Sequence, residues 1–219
     1  MFRFESVEEV RCKAEEGNAS ARFELGYMHQ YGKSWTCGIE GSDTIQIDLE
    51  AAHELYHLAA QQGLPEAQFF LGLMYAEGQG VQPNDQTAFK WFRQAAIRGD
   101  SIAQANVAHA YLLGIGTSVD YVRAHFYLEM AAEQGSYKAH YLLGMANFEG
   151  IGVPENHREA LRYFKLAGKY RIPDAHFALG MMYGKGYGTD VDYDEAVKWF
   201  SKAAEEGHEE AMKMLKKLR

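Results

Sequence analysis

The chain has 219 residues, of which 47% are hydrophobic and 24% are charged, and it contains only 4 prolines. This composition excludes a disordered, collagen-like or acidic-tail protein, and the chain is long enough to bury a sizeable core. The formal net charge is −8, from 22 basic and 30 acidic residues. Since no stretch concentrates lysine and arginine, we expect neither nucleic acid nor an anionic membrane surface as a partner.

The first predicted element is a single helix over residues 6–16, within an N-terminal capping segment over residues 1–20. Acidic residues stand where a signal peptide carries its apolar stretch, and no apolar run of about 18 residues follows, so we expect a cytoplasmic protein without membrane insertion. Cys12 and Cys37 are too few for a disulfide framework. Free thiols and one bridge between the two cysteines both stay open.

After this segment the chain repeats itself every 36 residues, with similar sequences beginning at Ala67, Ala103, Ala139 and Ala175. An earlier copy at Ala21 precedes the next one by 46 residues, which indicates an insertion. We therefore predict one α-solenoid domain over residues 1–219. Its repeats are predicted at 21–66 with an insertion at 33–47, and at 67–102, 103–138, 139–174 and 175–210, before a C-terminal capping helix over 211–219.

Each period divides into two helices. In the first, helix A, apolar residues share one side, and a Gly-x-Gly sequence follows where a glycine ends a helix. The second, helix B, begins at a short polar residue that can accept free N–H groups, and it ends at Gly63, Gly99, Gly135 or Gly207. The predicted caps of helix B are Asp48, Asn84, Asp120, Asn156 and Asp192, and the pairs Asn156–Glu159 and Asp192–Glu195 have capping-box spacing.

One copy departs from this pattern at the end of helix B. Arg171 stands where the other copies have glycine. Because a left-handed conformation is unfavourable for arginine, we expect an altered turn over residues 168–173.

The repeated Ala-x-x-x-Leu-Gly-x-x-Tyr, the Gly-x-Gly turn and the aromatic pair before Ala-Ala-x-x-Gly resemble Sel-one-like repeats, relatives of tetratricopeptide repeats. The resemblance implies an all-α fold, a right-handed α/α superhelix of five helix-turn-helix repeats with half-repeat caps. It also implies an adaptor or scaffold that binds a partner protein or peptide. Some relatives bind or slowly hydrolyse β-lactams, but those chains have a paired-cysteine pattern that is missing here.

Helix A is apolar on both sides, and in the related repeats its second side lines a concave groove. Such a side either packs on helix B or presents an adhesive surface to a partner. The predicted groove residues are Phe23, Tyr27, Phe69, Leu73, His109, Leu112, Tyr141, Met145, Phe148, Phe177 and Met181. In the insertion, Trp35 either contacts the partner as well or folds over the first repeat.

The sequence offers no candidate for catalysis. His53 and His57 are four residues apart, but no carboxylate at HExxH spacing joins them, so we expect no metal site, and no motif indicates a cofactor. We therefore expect a non-enzymatic module that binds a partner in the groove of helix A. The alternatives are an immunity-type neutraliser of a bacterial toxin, and a hydrolase or β-lactam-binding protein.

Overall fold

The computed structural model describes residues 6–35 and 45–218, so Cys37 and most of the predicted insertion lie outside the described residues. These residues form twelve α-helices. In chain order they are α1 (Val7–Glu15), α2 (Ala19–Tyr31), α3 (Leu49–Gln61), α4 (Pro65–Glu77), α5 (Asp85–Ile97), α6 (Ser101–Leu113), α7 (Tyr121–Glu133), α8 (Tyr137–Glu149), α9 (His157–Ala167), α10 (Pro173–Lys185), α11 (Tyr193–Glu205) and α12 (Glu209–Leu218).

The predicted all-α repeat fold is confirmed. Helices α2, α4, α6, α8 and α10 are the helices A, and α3, α5, α7, α9 and α11 are the helices B, between the single terminal helices α1 and α12. The chain divides into two compact units, the first ending at Val119 and the second beginning at Asp120. That the whole chain is one domain stays a prediction.

Within each unit, helices that are neighbours in sequence pack against each other, and the two helices of one repeat pack most extensively, as α4 does on α5 and α10 on α11. In the first unit the core centres on Tyr56, Leu71 and Met74. In the second, Phe164 and Leu179 pack between α9 and α10. Within each unit, neighbouring helices therefore cover one another's apolar sides, as expected of a repeat protein.

Every helix B begins at the predicted short polar residue. The side chain of Asn84, for example, accepts the backbone N–H of Thr87 at 2.9 Å, which satisfies one of the free donors of the first turn. The backbone N–H of Asn84 donates in turn to the carbonyl oxygen of Tyr75 in helix A at 2.8 Å. The cap thus begins helix B and also ties it to helix A of the same repeat.

The prediction of capping boxes is wrong for one of their two hydrogen bonds, the one in which the glutamate side chain accepts the N–H of the cap residue. Asn156 accepts the N–H of Glu159 at 3.1 Å, but the carboxylate of Glu159 binds Arg162 at 2.7 Å instead of reaching back. Glu195 likewise binds a lysine one turn further on, while its N–H donates to Asp192. The physical reason is that the backbone N–H groups of both cap residues already donate to helix A.

Glycines end the helices as predicted. Gly32, Gly78, Gly114, Gly150 and Gly186 follow the helices A in the left-handed conformation, and Gly63, Gly99, Gly135 and Gly207 have positive φ angles after helices B.

The altered turn before Pro173 is also confirmed. Helix α9 ends at Ala167 and has 11 residues where the other helices B have 13. Gly168 keeps a right-handed φ of −68°, and the chain turns as the N–H of Tyr170 donates to the carbonyl of Ala167 at 3.0 Å. Pro173 is then the first residue of α10, a position where its missing N–H costs nothing.

Candidate functional site

An apolar pocket of about 310 Å³ lies in the second unit, between α8, α10 and the start of α12. Five of the predicted groove residues line it: Tyr141, Met145, Phe148, Phe177 and Met181. The rest of the lining was not predicted from the sequence and consists of Glu149, Phe164, Asp174, Ala178, Met182, Tyr187 and His208.

Rings of helix B hold the aromatic walls of this pocket in place. The ring of Tyr141 packs against Phe164 with centroids 5.9 Å apart, and Phe177 packs against Phe200 at 5.6 Å. Both Tyr141 and Phe177 are half-buried, so part of each ring faces the pocket. The sequence left open whether these residues pack on helix B or present a surface to a partner. Tyr141 and Phe177 do both, because part of each ring packs on helix B while the remainder lines the pocket.

A small residue lines the pocket at one position of α10. Ala178 lines the pocket, whereas the corresponding residues one to three repeats earlier are Leu142, Asn106 and Phe70. A larger side chain at Ala178 would occupy the space between the walls. At this position the last full repeat thus has a smaller side chain than the three repeats before it.

His208 closes one end of the pocket. Its ring stacks on Phe177 with centroids 4.4 Å apart and an interplanar angle of 15°. Its Nδ1 accepts the backbone N–H of Ala211 at 3.2 Å, capping α12, and its Nε2 lies 3.4 Å from Asp174 Oδ1. Since Nδ1 is an acceptor in this geometry, the ring carries its proton on Nε2 and donates to Asp174.

The rim of the pocket is acidic. Glu149 and Asp174 line its edge, and both are exposed. Burial raises the pKa of the Tyr141 phenol, and the negative charges of Asp174 and Glu149 raise it further. The site therefore combines neutral apolar walls with a negative edge, which favours an apolar group that carries a positive charge beside it.

The remaining predicted groove residues lie in the first unit. Phe23 is buried, and Tyr27 and Trp35 pack around it in an aromatic cluster with centroid distances of 5.0 to 6.4 Å. Trp35, which is 44% exposed, thus folds over the first repeat.

The other predicted groove residues of the first unit lie on α4 and α6. Phe69 packs on Phe92 with ring centroids 5.7 Å apart, and Leu73 and Leu112 are half-buried. His109 lines a small pocket of about 90 Å³.

A buried carboxylate that the sequence analysis missed holds the start of the insertion. Glu24 is 2% exposed and accepts the hydroxyl of Ser34 at 2.6 Å and the backbone N–H of Trp35 at 2.8 Å. The sequence does contain a sign of this role, because Glu24 stands at the repeat position that Phe70 and Ala178 occupy in later copies. Its role is to fix the chain after α2.

The histidines considered as metal ligands have other contacts. His53 Nε2 lies 3.2 Å from the hydroxyl of Tyr75, and the ring of His57 packs edge-on against Trp91 at 6.0 Å. Burial lowers the pKa of His53, and the neighbouring His57 lowers it further. The pairing of Cys12 with Cys37 falls outside the described residues.

Comparison with known proteins identifies the family. The Sel1 repeat profile matches residues 19–64, 65–100, 101–136, 138–169 and 173–208. The chain belongs to the Sel1 repeat family. The predicted α/α solenoid fold class is thereby confirmed, and Sel1 repeat proteins are generally modules for protein interaction. In the described part of this Sel1 repeat chain, no helix has the length and apolar character needed to cross a membrane.

Solved Sel1 repeat structures extend the similarity over nearly the whole chain. A Sel1 repeat protein from Oxalobacter formigenes is 34% identical, with a TM-score of 0.75 over 97% of this chain and 59% of its own. A protective antigen of uropathogenic Escherichia coli with an SLR fold is 30% identical, with a TM-score of 0.76 over 96% of this chain and 50% of its own.

An uncharacterized protein of Neisseria meningitidis is 34% identical over 95 residues, which are 43% of this chain and 18% of that protein. The chain thus covers less than two thirds of the length of each of these three relatives.

Proposed function

We propose that this Sel1 repeat chain is a non-enzymatic interaction module that captures a segment of a partner protein in the pocket between α8 and α10. A bulky apolar side chain of the partner enters the pocket, and a lysine or arginine next to it approaches Glu149 and Asp174. The observation that carries the proposal is the open apolar pocket lined by five of the predicted groove residues.

The size and composition of the pocket support an apolar anchor. A volume of about 310 Å³ is at the lower end for ligand sites in proteins, which suits one or two side chains better than a large cofactor. Met145, Met181 and Met182 supply flexible, polarisable walls that adapt to different side-chain shapes. Anchoring by one or two buried side chains is the usual source of affinity at such interfaces.

Filling the pocket tests this proposal. Ala178→Phe places in α10 the residue that already stands at the corresponding position of α4 as Phe70. We expect the variant to capture its partner at least about 10-fold more weakly, which is about 1.4 kcal/mol of binding free energy. The partner is first identified by affinity capture from the native host and mass spectrometry, and its dissociation constants are then measured by calorimetry.

Asn106→Phe is the matched control. It makes the corresponding change in α6, where Asn106 lines the smaller pocket of the first unit. Thermal unfolding followed by circular dichroism checks that both variants stay folded. Equal affinity of the folded Ala178→Phe variant and the native chain would reject the pocket as the partner site.

A further inference from the structure

A second, polar pocket of about 530 Å³ lies in the first unit, against the end of α3, the start of α4 and one face of α5. Besides Ala60 and Thr87, its lining consists of Gln61, Gln68, Lys90, Trp91, Gln94 and Arg98. Two of these residues are cationic and none is acidic, in a chain whose formal net charge is −8. The pocket therefore has the opposite charge preference to the apolar pocket of the second unit.

The cationic residues share one face of α5. Lys90, Gln94 and Arg98 are separated by four residues each, so they lie above one another on the helix. The ion pairs between described residues include neither Lys90 nor Arg98. The guanidinium of Arg98 lies against the turn at Gly63, where a Cβ would come within 3.0 Å of it. Both charges are thus available to a ligand.

A buried side chain with an unused acceptor also lines this pocket. Gln68 is 3% exposed, and its Nε2 donates to the carbonyl oxygen of Ala60 at 3.1 Å. Its Oε1 is buried and accepts no hydrogen bond from any described residue. Because an unsatisfied buried acceptor destabilises the folded chain, a ligand N–H that reaches Oε1 gains more than it would on an exposed surface.

We propose that this pocket binds an acidic peptide segment. The carboxylate of a glutamate or aspartate lies between Lys90 and Arg98, and a backbone N–H of the same segment donates to Gln68 Oε1. The peptide packs on the half-buried ring of Trp91, which also contacts the ring of His57 edge-on. Arginine suits this role because its planar guanidinium binds a carboxylate with two parallel hydrogen bonds.

The acceptor on Gln68 distinguishes a peptide from a simple anion. Inorganic phosphate presents mainly acceptor oxygens, which satisfy Lys90 and Arg98 but bring little to Gln68 Oε1 or to the ring of Trp91. An acidic peptide supplies a carboxylate, N–H donors and apolar surface together. The proposal is independent of the partner site in the second unit, since it uses other residues and the opposite charge.

Trp91 allows the binding to be observed directly. The chain has three tryptophans, Trp35, Trp91 and Trp199, so a ¹⁵N-labelled full chain gives three indole N–H signals. The probe is the peptide acetyl-Gly-Leu-Glu-Leu-Gly-amide, which carries apolar side chains beside the carboxylate, and its control has glutamine in place of glutamate. We expect the glutamate peptide to shift the Trp91 signal in a saturable way, with the other two signals unchanged, and the glutamine peptide to bind at least about 10-fold more weakly.

Paired variants assign the contacts. Lys90→Ala and Arg98→Ala should each weaken the glutamate peptide at least about fivefold, whereas Arg93→Ala, which removes an exposed cation of α5 outside the pocket lining, should leave it unchanged. Gln68→Met should weaken binding, while Gln104→Met, which removes the corresponding bond to Ala96, should not.

Three outcomes would overturn the proposal. These are equal binding of the two peptides, unchanged binding in Arg98→Ala, and a Trp91 shift caused by inorganic phosphate while the glutamate peptide causes none. Circular dichroism confirms that each variant is folded, and the positions of the indole signals without peptide give the same check at Trp91 itself.

Discussion

One residue position of helix A ties successive helices together through a side chain. Gln68 and Gln104 donate to the carbonyl oxygens of Ala60 and Ala96, eight residues earlier, at 3.1 and 3.2 Å. Arg22 donates in the same register to Ala14, and His176 Nε2 lies 3.0 Å from the carbonyl oxygen of Gly168. Four different copies therefore use this position to satisfy a carbonyl at the end of the preceding helix.

His140 occupies the same position, but its Nδ1 is buried without a hydrogen-bond partner among the described residues. Burial lowers the pKa of His140 below its ordinary value of 6.5, and the cations Arg162 and Lys169 lower it further. The unfolded chain therefore binds this proton at a higher pH than the folded chain does. Stability is thus lost as the pH falls through about 6.5, and it is regained as the pH rises.

We predict that His140→Gln stabilises the chain by about 1 kcal/mol at pH 7, because glutamine can make the hydrogen bond that Gln68 and Gln104 make. The variant should also lose less stability between pH 7 and pH 5, since one histidine with a lowered pKa has been removed. Urea denaturation at a series of pH values measures both effects. An unchanged pH dependence in His140→Gln would contradict the prediction.

The same substitution in the next repeat should have the opposite sign. His176 is buried, and its Nδ1 lies 2.9 Å from Glu206, whose carboxylate is also 3.5 Å from Arg171. The two ring nitrogens thus connect the carboxylate of Glu206 with the backbone carbonyl of Gly168. His176→Gln should cost roughly 1–3 kcal/mol, because one amide group cannot reach both acceptors and the largely buried Glu206 loses a hydrogen-bond partner. A neutral or stabilising effect in urea denaturation would show that this pair contributes nothing to folding.

Among the elements, the Gly-x-Gly turn is fixed by two different constraints. Its first glycine ends helix A in the left-handed conformation, as at Gly78 with φ of 70°. Its second glycine approaches the backbone at the start of the preceding helix B, so that a Cβ on Gly80 would overlap the carbonyl group of Leu49. The turn therefore fixes the distance between successive repeats.

Two alanine substitutions separate conformational strain from this close approach. Gly99 also has a positive φ, of 96°, but no atom lies within 4 Å of the site of its Cβ. Gly99→Ala should cost about 1–2 kcal/mol from backbone strain alone. Gly80→Ala should cost about 3 kcal/mol or more, because the overlap with Leu49 adds to the strain. Guanidinium denaturation compares the two, and equal losses would argue against a spacing role for Gly80.

The elements that the sequence predicted well are those set by local chemistry. The caps of helix B and the glycines after each helix depend on residues within one turn, so their pattern is visible in the sequence. The prediction of full capping boxes failed because the backbone N–H of Asn156 already donates to the carbonyl oxygen of Asn147, nine residues earlier, and is not available to Glu159. The apolar pocket was anticipated in its walls but not in its acidic edge or in His208. Glu149 on α8, Asp174 on α10 and His208 before α12 are far apart in sequence and come together only in the folded repeats.

The polar pocket was not predicted for a related reason. Lys90 and Arg98 follow a spacing that a solvent-exposed helix face also shows, so their pattern alone carries little information. What distinguishes them is the neighbouring Gln68 acceptor, which comes from another helix and is buried only after α3, α4 and α5 have packed. Whether a buried side chain has a hydrogen-bond partner depends on the tertiary structure, and the periodic pattern of the sequence does not reveal it.

At the scale of the whole molecule, the negative charge favours a basic partner. The formal net charge is −8, and the acidic rim of the apolar pocket adds a local attraction at Glu149 and Asp174. Long-range attraction raises the association rate and is screened by salt, whereas a close contact mainly slows dissociation. The two contributions can therefore be separated kinetically.

Two double variants that remove the same charge provide the test. Glu149→Gln with Asp174→Asn neutralises the rim, and Glu133→Gln with Glu205→Gln neutralises two exposed acids of α7 and α11 outside the pocket lining. Association with the partner captured by the native chain is then measured. At 50 mM NaCl we expect both double variants to bind more slowly than the native chain, by similar factors. Near 500 mM NaCl, where screening is nearly complete, we expect the association rates of the variants and the native chain to be equal. The rim variant alone should dissociate about threefold faster, because it also loses direct contacts to the basic residue beside the anchor, and exposed ion pairs of this kind contribute less than about 1 kcal/mol each. Stopped-flow measurements at both salt concentrations give the rates, and equal dissociation rates for the two variants would place the basic residue of the partner away from this rim.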